Sequence, residues 1–360
     1  MRQLKQQQRR SKKIKKNTLV NGLCFDDILL LPNDSSPLLS RSHIDLTTRI
    51  GNPNNPDAII EFESPIISAP MESISSKEML SILVNSGCIG TTVRTYSLDE
   101  KIKKSLEINP NRVAVTIKIK DVYNKESIDK IVKNKIKIIL LDVANGHLKL
   151  VADAVSHLRK NIPSSTHIMC GNVSSYGAYK MLMDAGCDSV RVGIGGGAAC
   201  TTRIMTGFGA PTLASIMNIY EMVKGDSVNG IIADGGIKTS GDIVKALGAG
   251  ASAVMLGYML AGHDECTSEN GEYSLIGLGS REFAAKEEGI SGIKNPIFNF
   301  EGVSGKIEPR GPAFEGLWNI LNNTKSAFTY SGAGNIKELQ SSLEYIEVSP
   351  QSLRESGNRI

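Results

Sequence analysis

A parallel (β/α)8 barrel, the TIM-barrel architecture, is the fold this sequence predicts, on three observations. Short apolar or β-branched runs recur at 65–69, 88–93, 112–118, 138–144, 167–173, 189–194, 230–236 and 253–258. Stretches with helical periodicity lie between them, for example 76–85, 125–132, 148–159, 175–185 and 240–247. Strands that alternate with helices build a parallel sheet, because each crossover helix covers one of its faces. Several runs also end on a polar residue or glycine, at Ser68, Thr92, Asp142, Asn172, Gly193, Asp234 and Gly257. In a barrel of this type the C-terminal strand ends form the ligand-binding rim. An open doubly wound sheet accommodates eight such units less naturally.

Taken in order, the chain begins with MRQLKQQQRRSKKIKKN, residues 1–17, which hold eight Lys or Arg and no acid. A segment this basic and this poor in apolar residues predicts a disordered tail. A solvated extension is preferred to a tether for nucleic acid. Residues 22–32 form a short apolar lead-in. Residues 33–64, rich in Ser, Asn, Pro and Asp, predict loop with at most one hairpin. After the eight units, residues 259–311 lengthen the last strand-to-helix connection, which predicts a lid. Residues 313–328 read as the closing helix, and the chain turns polar again from Ser331. One catalytic domain over 18–360 follows from this reading.

Composition excludes several classes. With 41% hydrophobic and 22% charged residues the chain has the balance of an ordinary soluble globular protein, and no apolar run approaches a membrane span. Six cysteines, at 24, 88, 170, 187, 200 and 266, show no CxxC spacing and follow no apolar leader. They predict reduced thiols in a cytoplasmic protein rather than a disulfide frame or a zinc site.

One stretch carries chemistry. After the apolar run Ser189, Val190, Arg191, Val192, residues 193–203 read GIGGGAACTTR. Gly195, Gly196 and Gly197 allow positive φ and close approach of backbone to a ligand. Cys200 then stands on a turn flanked by Thr201, Thr202 and Arg203, a polar and electropositive setting that suits a thiolate nucleophile. A small buried core cysteine would have no need of such neighbours.

This run, followed by TGFGAP, closely resembles the catalytic loop of the IMP dehydrogenase and GMP reductase family, and the resemblance extends from Phe25 to Ser356. It implies a purine nucleotide oxidoreductase in which Cys200 attacks C2 of a purine nucleoside monophosphate to give a covalent thioimidate. Thr202 matches the threonine that orients water or ammonia, and Glu301 the residue that contacts the purine edge and relays a proton. Asp142 matches an aspartate facing the ribose and nicotinamide of the cofactor, with Arg94 in the place of a reductase lysine. Asp234 matches the holder of the nucleotide ribose, Gly236 and Gly257 the backbone donors to its phosphate, and Ser68 and Met71 the floor of the purine site. Asn172 and Gly279 complete the implied substrate set. Carbonyls of Gly195, Gly197 and Cys200 resemble a site for a monovalent cation, K+, completed by a neighbouring subunit, and the family implies a homotetramer.

Three departures surround the phosphate. The usual loop serine is Ala198, a small residue is replaced by Tyr258, and a tyrosine falls at Leu275 or Ile276. Either Tyr258 replaces a lost hydroxyl or the nucleotide is modified. The direction of the reaction is read from the lid. Dehydrogenases place an Arg-Tyr pair there to activate water, whereas between Ser280 and Glu301 the only arginine is Arg281, with no tyrosine beside it. The expectation is therefore a GMP reductase using NADPH. The alternatives are an IMP dehydrogenase using NAD and, from another class, a catalytically impaired purine-nucleotide-binding protein. Residues 97–111 stand where family dehydrogenases carry a regulatory insertion.

Overall fold

Eight parallel strands form the centre of the computed structural model, which describes residues 22–34, 40–226, 228–266, 268–269, 272–276 and 302–356. They are β1 (Ile66–Ser68), β2 (Gly90–Thr91), β3 (Val113–Ile117), β4 (Ile138–Asp142), β5 (His167–Val173), β6 (Ser189–Val192), β7 (Ile231–Asp234) and β8 (Ala253–Leu256). From β2 to β8 each pairs with the next in sequence, and β8 pairs with β1. The remaining gap closes where Ser68 N donates to Ile89 O and Ile89 N to Ile66 O, both at 3.0 Å. The barrel therefore has no free edge, and the expected (β/α)8 architecture is what the chain adopts.

Every residue of β3 and β4 is buried. Both faces of such a strand must be apolar, because helices cover the outside and neighbouring strands fill the inside. Register then sets the site. Asp142 pairs with Gly171, Asp234 with Met255, and Leu256 with Ser68. The polar ends picked out by the sequence thus lie on one rim.

The outer layer is α1 (Lys77–Asn85), α2 (Leu98–Ile108), α3 (Lys125–Lys133), α4 (Lys149–Asn161), α5 (Tyr176–Asp184), α6 (Thr212–Val223), α7 (Ser240–Gly248) and α8 (Ala313–Ser331). Residues 97–111 are not mere filler. Ser97 caps α2 and Glu100 reaches back to the Ser97 N–H in a capping box, the arrangement that satisfies amide groups at a helix start. A second box, Thr239 with Asp242, starts α7.

The loop-rich lead-in contains one antiparallel pair, Thr48–Ile50 with Ile60–Phe62, in agreement with the single hairpin expected. The lead-in strand Ile28–Leu30 pairs antiparallel with Tyr345–Glu347, so the polar C-terminal stretch is structured rather than loose. Of the expected lid, the described part is a three-stranded antiparallel sheet, Ser268–Glu269, Glu272–Ile276 and Ser304–Ile307. The basic tail at 1–17 and the lid segment 277–301 lie outside the described residues. Among the described residues no helix is long and apolar enough to cross a membrane.

The base of the barrel is held by a polar knot. Asp188, fully buried before β6, accepts from Ile168 N at 2.7 Å, from Asn55 Nδ2 at 2.8 Å and from the Arg159 guanidinium. Arg159 in turn donates to the carbonyls of Gly186 and Thr166. Removing one partner of a buried pair leaves the other charge uncompensated. Asp188→Ala is expected to lower stability by about 3 kcal/mol in urea unfolding. Ligand affinity at the opposite rim should be unchanged, and a loss of affinity equal to the loss of stability would contradict this assignment.

Candidate active site

The loop after β6 is shaped by backbone that only glycine tolerates. Gly193 has φ 145° and a Cβ there would meet Asp234 O at 2.0 Å. Gly195 has φ 75°, and its Cβ would fall 2.5 Å from Arg203 Cγ. Loop and β7 therefore approach more closely than any side chain would permit. Arg203 laces the loop to its return limb, donating from Nε to Ile194 O at 3.2 Å and from an Nη to Ala210 O at 2.5 Å. The electropositive neighbour read from the sequence is thus engaged in holding the loop.

Cys200 follows a turn closed by its own N–H on Gly197 O at 3.0 Å. Its side chain is partly exposed and lines a cavity of about 320 Å³ at the barrel mouth. The thiol donates to Thr202 Oγ1 at 3.2 Å, and Thr202 opens the one-turn helix Thr202–Thr206. The returning lid strand crosses directly over this turn, with Val303 N donating to Ala199 O at 2.9 Å and a bridge between Cys200 and Gly302. Cys24, Cys88, Cys170, Cys187 and Cys266 line no part of this cavity. Burial pushes the Cys88 and Cys170 thiols up to about 12, so they remain protonated.

Beneath the cavity lies an alternation of charge that the motif reading did not include. Arg191, on β6 and nearly fully buried, donates from Nε to Asp234 Oδ2 at 2.9 Å and from Nη1 to Asp142 Oδ1. Burial opposes its charge, but Asp234 and Asp142 more than offset that and push its pKa up. Asn172 Nδ2 joins the same group, donating to Asp234 Oδ2 at 2.8 Å and to Gly193 O at 2.9 Å. On the far side, Arg94 Nη1 stands 3.8 Å from Asp142 Oδ2, a buried oxygen that accepts no hydrogen bond among the described residues. The signal for Arg191 was present in the sequence: a charge inside an apolar buried strand must find a partner.

Of the residues singled out from the sequence, Cys200, Thr202, Asp142, Asp234, Asn172, Arg94, Met71, Gly195, Gly197, Gly236 and Gly257 all line this cavity. Ser68 does not. It is fully buried on β1, and its Oγ accepts from Thr91 N at 2.8 Å, so it ties β1 to β2 beneath the floor. Glu301 and Gly279 lie outside the described residues. Lys238, Tyr258 and Leu275 also face the cavity. Tyr258 is held by Arg310, whose guanidinium stacks 4.5 Å from the ring centroid while Nη1 donates to Tyr258 O at 2.8 Å.

Comparison with known proteins gives the family. The family model described as "IMP dehydrogenase / GMP reductase domain" matches residues 22–359. Inosine-5'-monophosphate dehydrogenase of Rhizobium tropici is 36% identical over 256 residues, 68% of this chain and 51% of that protein. GMP reductase 2 of Bos taurus is 34% identical over 338 residues, covering 91% of this chain and 95% of its own length. A GMP reductase of Yersinia pestis (strain Pestoides F) is 32% identical over 350 residues, 93% of this chain and 97% of its own. The chain thus spans about half the length of the dehydrogenase relatives it matches and nearly the whole of the reductases. With a matching model over nearly its whole length and the cysteine loop at the mouth of a barrel, the chain belongs to the IMP dehydrogenase / GMP reductase family.

Proposed function

We propose that this protein is a purine nucleotide oxidoreductase that converts GMP, with NADPH, to IMP and ammonia. The observation that carries the reading is the Cys200 thiol, presented into the cavity 3.2 Å from Thr202 Oγ1, with Asp234 and Asp142 beside it on the rim. Cys200 Sγ adds as thiolate to C2 of the purine, and the C2 amino group leaves as ammonia, giving a thioimidate on Cys200. Thr202 Oγ1, 3.2 Å from the thiol, is the group proposed to orient the departing amine and pass it a proton, and Glu301 is the partner proposed for that relay. Reduction at C2 then releases the thiolate and IMP. Asp234, fixed by Arg191 and Asn172, accepts the ribose hydroxyls, and Met71 packs against the base. The homotetramer and the cytoplasmic setting belong to the same proposal.

A nicotinamide dinucleotide fits the Asp142 side of the cavity. Asp142 Oδ2 is a buried acceptor that takes no hydrogen bond among the described residues and faces Arg94, which suits an incoming hydroxyl or amide. When bound, the dinucleotide supplies the hydride. A monovalent cation suits the donor chemistry proposed at Gly195, Gly197 and Cys200, since a carbonyl has two lone pairs and Gly197 O keeps one after accepting from Cys200 N.

The reductase direction is supported by coverage, since the reductases align over almost their full length. It is also supported by the lid sequence, where no Arg-Tyr pair stands between Ser280 and Glu301 to activate water for hydrolysis. The dehydrogenase remains the competing direction because 36% identity joins this chain to those relatives. At the anionic end of the substrate, Lys238 and Tyr258 are the side chains proposed to meet the 5′-phosphate in place of a loop serine.

Purified protein should consume NADPH absorbance with GMP and give no NADH with IMP; activity in the second assay alone would reverse the direction. Cys200→Ala should lower turnover in either assay by at least about 10³-fold, as loss of a nucleophile does. By isothermal titration IMP should bind at least about ten-fold more tightly than inosine, and Lys238→Met should narrow that gap. Equal affinities in the unaltered protein would exclude phosphate recognition.

A further inference from the structure

A buried lysine outside the motifs lies directly behind the cavity. Lys101, on α2, is 2% exposed, yet among the described residues its Nζ touches no carboxylate. It donates instead to two backbone carbonyls, Thr116 O on β3 at 2.9 Å and Arg94 O on the loop after β2 at 3.3 Å. We propose that Lys101 is a positioning residue for Arg94, clamping its backbone so that the guanidinium faces Asp142 on the nicotinamide side of the cavity. This rests on the assignment of that side to the dinucleotide made above.

The geometry favours positioning over simple packing. Arg94 Nη1 lies 3.4 Å from Asp142 O and 3.8 Å from Asp142 Oδ2, so a small shift of its backbone would break both approaches. The loop has no regular secondary structure at Arg94, and Lys101 Nζ bridges it to β3. Beyond Asp142 the alternation continues through Arg191 to Asp234. A buried ammonium that, among the described residues, is met by two backbone carbonyls and no carboxylate is costly to keep, and a methionine would fill the same space without the cost.

Its ionisation gives the proposal a handle. Burial lowers the Lys101 pKa to about 8, with Asp121 raising it, Lys118 and Arg94 lowering it, and Asp142 raising it. These groups face it from the turn after β3, the loop after β2 and the rim of β4, while Glu100 is the charged neighbour on its own helix. Charge-assisted bonds to the two carbonyls are therefore present below about pH 8 and weaken above it.

The test is equilibrium binding of NADPH and, separately, of IMP, in the full-length Cys200→Ala protein so that neither turnover nor the Cys200 thiol contributes. From about pH 7 to about pH 9.5 the NADPH dissociation constant should rise about five-fold with a midpoint near the lysine's, while that of IMP, whose own N1–H titrates in this range, should follow the same course with and without Lys101. Lys101→Met should show the weakened NADPH affinity already at the lower pH and no further change. Lys101→Gln, which keeps an uncharged donor, should lie between them and be equally flat. A flat NADPH profile in the Lys101-containing protein overturns the inference, and needs no variant to fold. A Lys101→Met profile that still rises, or equal weakening of IMP and NADPH by that substitution, overturns it too. Failure to bind NADPH at any pH would remove this inference and the cofactor assignment together, whereas a pH-independent NADPH affinity would remove this inference alone.

Discussion

Two carboxylates reach into the barrel mouth from different strands, one of them almost fully buried, and Arg191 is what makes that tenable. Burial of an unpaired charge is prohibitive, and a paired one needs hydrogen bonds in good geometry. Arg191 supplies both, because its guanidinium forks between Asp142 on β4 and Asp234 on β7. The fork geometry suits arginine in a way that lysine's single ammonium would not. One residue thereby fixes the spacing of the two acceptors that flank the cysteine loop.

That spacing sets what the loop can do. Asn172 joins Asp234 to the carbonyl of Gly193, so the first residue of the loop is tied to the same polar group. From there the chain is held by Arg203 on one side and crossed by the lid strand at Gly302 and Val303 on the other. A nucleophile on an otherwise unsupported glycine loop would wander. Here the loop is held by bonds to Asn172 and Val173 on β5, to its own return limb and to the lid, and a side chain so fixed is preorganised. The same economy appears at the Tyr258 end of the cavity, where Arg310 stacks on the ring and holds it at the cavity wall.

Much of this was readable beforehand. The eight apolar runs, the polar strand ends and the Gly-rich loop before Cys200 each follow from local rules of period, burial and turn conformation, and the structure places nearly all of the marked residues around one cavity. Ser68 and Thr92 were the exceptions. Each ends an apolar run as Asp142 and Asp234 do, but its hydroxyl is buried against the neighbouring strand, Ser68 Oγ accepting from Thr91 N and Thr92 Oγ1 from Thr116 N. The stretch 97–111 was undervalued for a related reason: its helix is short and its capping box is local, yet it brings Lys101 against the back of the site.

The sequence by itself determined the strand and helix rhythm, the rim identities and the single chemically distinctive cysteine, because these depend on residues close together in the chain. Only the tertiary structure decided which of the charges meet. Asp142, Arg191 and Asp234 lie 49 and 43 positions apart, and nothing in spacing or composition brings them together. Their contact exists because barrel closure points the C-terminal ends of non-neighbouring strands at a common centre, where a buried charge of one sign must be answered by the other.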